Sequence, residues 1–94
     1  MNKVAMVTGS SRGLGRAIVL ELAKNGYDVV INYNNSEDRA KLVQEEVSKF
    51  GVKSLLIKCD ISNEEDVEVM VSKVIKEFGR IDVLVNNAAV CYDS

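Results

Sequence analysis

The sequence has no histidine, no proline and no tryptophan, and only two cysteines among its 94 residues. Without histidine these residues hold no imidazole general base and lack the commonest zinc ligand, which excludes His-dependent catalysis and the usual zinc centres. Without proline nothing reads as a stiff linker, and no low-complexity tail or internal repeat is visible. Cys59 and Cys91 stand far apart with no CxxC spacing, which predicts two reduced thiols in a cytoplasmic protein rather than a disulfide or a metal pair. A net charge of -2, with the basic residues scattered along the chain, gives no field for nucleic acid and no polybasic face for a membrane. No apolar run approaches the roughly 20 residues that a spanning helix needs. At the start, Met1-Asn2-Lys3-Val4 runs straight into a strand pattern, and no signal peptide is expected there.

The composition that remains, 47% hydrophobic and 28% charged, is that of a soluble globular chain with enough residues for one small domain over 1–94. Residues 3–8 form a short apolar run that predicts a strand buried on both faces. After a glycine-spaced turn, Leu14, Ala17, Ile18 and Leu22 recur at helical spacing up to Asn25, and Gly26 stands where a helix C-terminal glycine is expected. Residues 28–33 read as a second strand. Asn34-Asn35-Ser36 can start a second helix, with Ala40, Val43, Val47 and Phe50 on its apolar stripe. A third strand is expected over 53–58. Ser62 and Glu65 then form a capping box for a third helix carrying Val67, Met70, Val71, Val74 and Phe78, which ends at Gly79. A fourth strand spans 81–86. Strands alternating with helices of this length imply right-handed crossovers and a parallel sheet, so the predicted fold is α/β, doubly wound and Rossmann-type, β-α-β-α-β-α-β, with strand order 3-2-1-4.

The segment Thr8-Gly9-Ser10-Ser11-Arg12-Gly13-Leu14-Gly15 lies between the first strand and the first helix. Glycine there permits positive φ and lets a diphosphate approach without meeting a Cβ, while free N–H groups and the helix dipole favour an anion. Neither common phosphate fingerprint is present. The third glycine of GxGxxG is replaced by Ile18, and no Lys-Ser or Lys-Thr follows as a P-loop requires. The pattern is TGxxxGxG; alone, it is also compatible with a plain strand-to-helix turn.

With Cys59-Asp60-Ile61 after the third strand and Asn86-Asn87-Ala88-Ala89 after the fourth, the chain resembles the short-chain dehydrogenase/reductase family over its whole length. Within the family it is most similar to the 3-oxoacyl-acyl-carrier-protein reductases and bacterial glucose dehydrogenases. The resemblance implies a pyrophosphate site shaped by Gly9, Gly13 and Gly15 and lined by Ser10, Ser11, Arg12 and Leu14, with Thr8 tying the turn to the neighbouring strand. It implies that Asp60 bonds the adenine amino group, that Ile61 meets the ring, that Asn87 lies along the nicotinamide-side ribose, and that Asn86 and Ala88 brace the strand beneath. Read alone, Asp60 could equally cap the turn into the third helix, and Asn86-Asn87 could be a polar strand end. The family motif usually closes in glycine where this chain has Ala89.

An NAD-preferring sheet of this kind ends its second strand in an acidic residue that binds the ribose 2′-OH. Ile31-Asn32-Tyr33 supplies no carboxylate, and Asp28 comes about 13 Å too early along the strand. Arg12 can pair with a 2′-phosphate through its guanidinium fork. The expected cofactor is therefore NADP(H) rather than NAD, with Asn32 as the discriminating residue. A sheet binding S-adenosylmethionine would want an acidic residue at that same strand end.

The family's chemistry, as the resemblance implies it, rests on a Tyr with a Lys four residues later and a Ser upstream. No Tyr here is followed by Lys at that spacing: Tyr27 is followed by Ile31, Tyr33 by Glu37, and Tyr92 has two residues after it. The expectation is a fragment that binds NADP(H), lacks the catalytic second half and does not turn over. A small-molecule carbonyl would be the substrate of a full-length parent. The competing expectation is a nucleotide-binding or interaction module without catalysis. An uncovered fourth strand predicts self-association or a homo-oligomer, or dependence on a partner or a missing segment.

Overall fold

The computed structural model describes residues 2–87. The elements run β1 (Val4–Val7), α1 (Gly13–Lys24), β2 (Asp28–Tyr33), α2 (Glu37–Ser48), β3 (Ser54–Lys58), α3 (Glu64–Phe78) and β4 (Val83–Val85). All pairings are parallel and the order is β3-β2-β1-β4, as the alternation of strands and helices predicted. Every residue of β1 and β2 is buried, which explains their continuous rather than alternating apolar pattern. Among the described residues no helix is long and apolar enough to cross a membrane.

Side-chain parity divides the core between the two faces of the sheet. On one face Val7, Val29, Ile31 and Tyr33 pack against Val19 and Ala23 of α1 and Ala40, Val43 and Val47 of α2. On the other, Val4, Met6, Val30, Ile57 and Cys59 pack against Met70 and Val74 of α3. Each fully buried valine of this set contributes about 1.5–3 kcal/mol by leaving water. At the N-terminal edge of the sheet, carboxylates take up amides that the ladder leaves unpaired. Asp28 Oδ1 accepts from Lys53 N (2.9 Å), and Asp82 Oδ2 accepts from Val4 N (2.8 Å).

Three local expectations change. In α1 the buried stripe is Gly15, Val19 and Ala23, with Ile18 and Leu22 at its border, whereas Leu14 and Ala17 face solvent. Gly15 must meet the preceding turn, so the helix rotates to put its small residues on the sheet. Phe50 is exposed rather than core, because α2 ends at Ser48 and the helical period stops with it. The cap of α3 is Asn63, whose side chain accepts from Asp66 N (3.0 Å), not Ser62. Asp60 takes both the N–H and the hydroxyl of Ser62 at 3.0 and 2.7 Å, so the helix begins one residue later.

Candidate functional site

In a parallel sheet all strands end on the same side, and the loops that follow them face one crevice. Here the turn after β1, the loop after β2 and the end of β4 enclose a cleft of about 470 Å³. The β1 turn contributes Gly9, Ser11, Arg12 and Gly13, the β2 loop Tyr33, Asn34, Asn35 and Ser36, and the end of β4 contributes Asn87. Among the described residues that line it, Arg12 is the only charged one.

The turn is held from both sides. Thr8 N donates to Val85 O (3.0 Å), joining the turn to β4, and the Thr8 hydroxyl lies 3.4 Å from Asn86 Oδ1. Gly9 and Gly13 have φ of 63° and 60°, a left-handed conformation that glycine adopts without strain. At Gly15 a Cβ would overlap the Gly9 carbonyl oxygen, so the third glycine is required by close approach rather than by φ. Asn87 Nδ2 donates to that same carbonyl at 3.2 Å.

The N-terminus of α1 carries no capping side chain and no acidic residue in its first turn. In α3, by contrast, Asn63 caps the helix and Glu64, Glu65 and Asp66 follow at once. The start of α1 is thus left without a side-chain cap where Gly13 and the adjoining Arg12 line the cleft, and a Cβ at Gly13 would have no atom within 4 Å. An open helix terminus, a glycine cradle and one cation form a donor set that fits a diphosphate-bearing nucleotide. Among the described residues no cluster of three or more His, Cys, Asp or Glu side chains could hold a metal ion.

The structure sorts the residues expected at this site. Ser11, Arg12, Gly9, Gly13 and Asn87 line the cleft; Leu14 sits at its helix start, exposed. Ser10 is fully buried and its hydroxyl accepts from Asn32 N at 3.0 Å, so it supports the turn from within. Asn32 is corrected in the same way. It lies on the α3 face of β2, is 1% exposed, and directs its amide to Gly9 N, Ile57 O and Cys59 O rather than to the cleft. The reason is strand parity: Tyr33, one residue on, points to the opposite face and lines the cleft.

Asp60 and Ile61 follow β3 at the same sheet end but do not line the cleft. The Ser62 hydroxyl and N–H hold the Asp60 carboxyl below the usual carboxylate range. One oxygen of that carboxylate accepts from Ser62 at the turn into α3, and Ile61 packs against the core cluster that includes Cys59 and Met70. Burial, with help from Asp66 and Asp60, pushes the Cys59 thiol up and keeps it protonated. Ala88 lies outside the described residues. Sequence reasoning missed Tyr33, Asn34, Asn35 and Ser36 as lining; the signal was their place in the loop after the second strand of a parallel sheet.

Residues 3–94 match the family model described as short chain dehydrogenase. The 3-oxoacyl-[acyl-carrier-protein] reductase FabG of Staphylococcus epidermidis is 47% identical over all 94 residues, and the chain spans 38% of that relative's length. The crystal structure of acetoin dehydrogenase YohF from Salmonella typhimurium superposes with a TM-score of 0.85 at 38% identity, over 92% of this chain and 36% of that one. Hydroxysteroid dehydrogenase from Escherichia coli superposes with a TM-score of 0.83 at 32% identity, over 89% of this chain and 35% of that one. The chain belongs to the short chain dehydrogenase family.

Proposed function

We propose that residues 1–94 form the NADP(H)-binding portion of a short chain oxidoreductase whose catalytic residues lie outside them. The observation that carries this reading is the cleft at the sheet end. It includes Gly13 at the uncapped N-terminus of α1, and Arg12 is the only charge among the described residues that line it. Gly9, Ser11 and Gly13 would take the pyrophosphate. Arg12, with the polar loop Asn34-Asn35-Ser36 in the same lining, would take a 2′-phosphate, which a carboxylate there would repel. Tyr33 would border the adenosine side, Asp60 and Ile61 would reach the adenine from β3, and Asn87 and Ala88 would follow the nicotinamide-side ribose.

When bound, the nicotinamide supplies or accepts the hydride. This chain's own part is to bind and orient it, since no Tyr in the 94 residues has a Lys four positions on. The chain by itself is expected to bind cofactor without turnover. Likeness to the Staphylococcus reductase makes a 3-oxoacyl thioester the substrate class for the whole enzyme. The likeness to an acetoin dehydrogenase and a hydroxysteroid dehydrogenase fits a nucleotide half that is shared by enzymes with different substrates. The β4 strand, paired among the described residues only with β1 and bearing exposed Leu84, supports self-association of the chain, and the buried free thiol of Cys59 supports a reducing, cytoplasmic setting.

Calorimetric titration of the 94-residue chain with NADPH and with NADH tests the central reading. Saturable binding that prefers NADPH is expected. Equal affinity, or preference for NADH, removes the role given to Arg12. A folded chain that binds neither removes the reading itself.

A further inference from the structure

Asn32 ends in a primary amide that is buried and fully used. Its Oδ1 accepts from Gly9 N at 2.9 Å, and its Nδ2 donates to Cys59 O at 3.3 Å and to Ile57 O at 3.4 Å. Its backbone is engaged as well: Ser10 N donates to Asn32 O at 3.0 Å, and Asn32 N donates to the Ser10 hydroxyl at 3.0 Å. One residue of β2 therefore joins Gly9 and Ser10 of the glycine turn to Ile57 in the third strand and Cys59 just after it. Gly9 is held on both sides, its N–H by Asn32 and its carbonyl by Asn87.

Only a side chain with an acceptor and a donor on one short stem satisfies this arrangement. A carboxylate would keep the bond from Gly9 but set negative oxygen against two carbonyl oxygens. An aliphatic side chain would leave the partly buried Gly9 N–H without this acceptor.

On the reading that this chain binds a dinucleotide, we propose that Asn32 is a positioning residue that holds the glycine turn and the Cys59–Asp60 segment in fixed register. The pyrophosphate cradle and the adenine contact then sit at one set spacing. Asn32 touches neither the ribose 2′ position nor the cleft, so its loss weakens NADPH and NADH binding alike. It does not choose between them.

The test uses the 94-residue chain as wild type, Asn32→Asp and Asn32→Ala. Each is titrated with NADPH and with NADH, and backbone amide exchange is read by NMR without ligand. Both variants are expected to lose about tenfold in affinity for both nucleotides, the ratio of the two staying within about twofold. Exchange should speed up at Gly9 and Asp60 while Val43 and Val74 keep their protection. If Asn32→Asp does not fold, Asn32→Ala is read alone. Wild type that binds no nucleotide sinks the dinucleotide reading, and the exchange pattern still decides whether Asn32 fixes the two segments. A changed nucleotide ratio, unchanged exchange at Gly9 and Asp60, or exchange raised evenly through the whole sheet each overturns the proposal.

Discussion

Gly15 rests directly on the carbonyl of Gly9, and a methyl group there would also come within 2.7 Å of Asn87 Nδ2. Neither neighbour can yield freely, because Gly9 is bonded through its N–H to Asn32 and Asn87 is bonded to Gly9. Gly15→Ala must therefore push α1 away from the turn. A loss of about 1–3 kcal/mol in urea unfolding is expected, as for other overpacked sites, together with loss of measurable NADPH binding. Wild-type stability in this variant would mean that the helix and turn are not in contact in solution.

Asp82 predicts how the sheet responds to acid. Its carboxyl is held below the usual carboxylate range, first by the Arg80 guanidinium and then by the Val4 N–H. The folded state thus binds the proton more weakly than the unfolded state, whose value is about 3.9. The stabilisation is complete above that value and disappears as the pH falls through the lower folded one. Asp82→Asn should be less stable than wild type at neutral pH, and the gap should close in acid. Urea midpoints across a pH series read this directly, and a gap that stays constant down to strong acid would contradict it.

Arg16 of α1 and Glu46 of α2 form a two-pronged ion pair, Nε to Oε1 at 3.1 Å and Nη2 to Oε2 at 2.5 Å. Their side chains are 43% and 38% exposed, so water and salt screen the attraction. A double-mutant cycle with Arg16→Ala and Glu46→Ala should give a coupling of about 0.5–1 kcal/mol that shrinks as salt is added. Coupling that ignores salt would point to packing between the side-chain stems instead.

The sequence carried the order of elements plainly, because strand and helix periods differ and Gly26 and Gly79 mark two helix ends. Strand order followed from the rule for parallel crossovers. It did not carry facing. Asn32 and Tyr33 are neighbours at a strand end, and either could be assigned to the cleft until the register of β2 between β1 and β3 is known. Nor did it carry competition between nearby groups. Ser62 has the chemistry of a helix cap, yet Asp60 lies close enough to claim it, and Asn63 takes the role. In α1 helical spacing picks out Leu14, Ala17, Ile18 and Leu22, whereas contact with the turn puts Gly15, and with it Val19 and Ala23, on the buried side.

Facing also moves the expected point of cofactor discrimination. With the Asn32 amide turned inward, an acidic residue meant to accept from a ribose 2′-OH has to stand on the cleft side, where Asn34 shares the lining with Arg12. Asn34→Asp should place a carboxylate there and lower NADPH affinity by about tenfold through repulsion of the 2′-phosphate, leaving NADH equal or improved. Arg12→Gln should weaken NADPH by a similar factor and leave NADH nearly untouched, since it removes the cation without adding a charge. If the two substitutions act on the same phosphate, their combined effect falls short of the product of the separate ones. Full additivity would place Asn34 and Arg12 on different parts of the ligand.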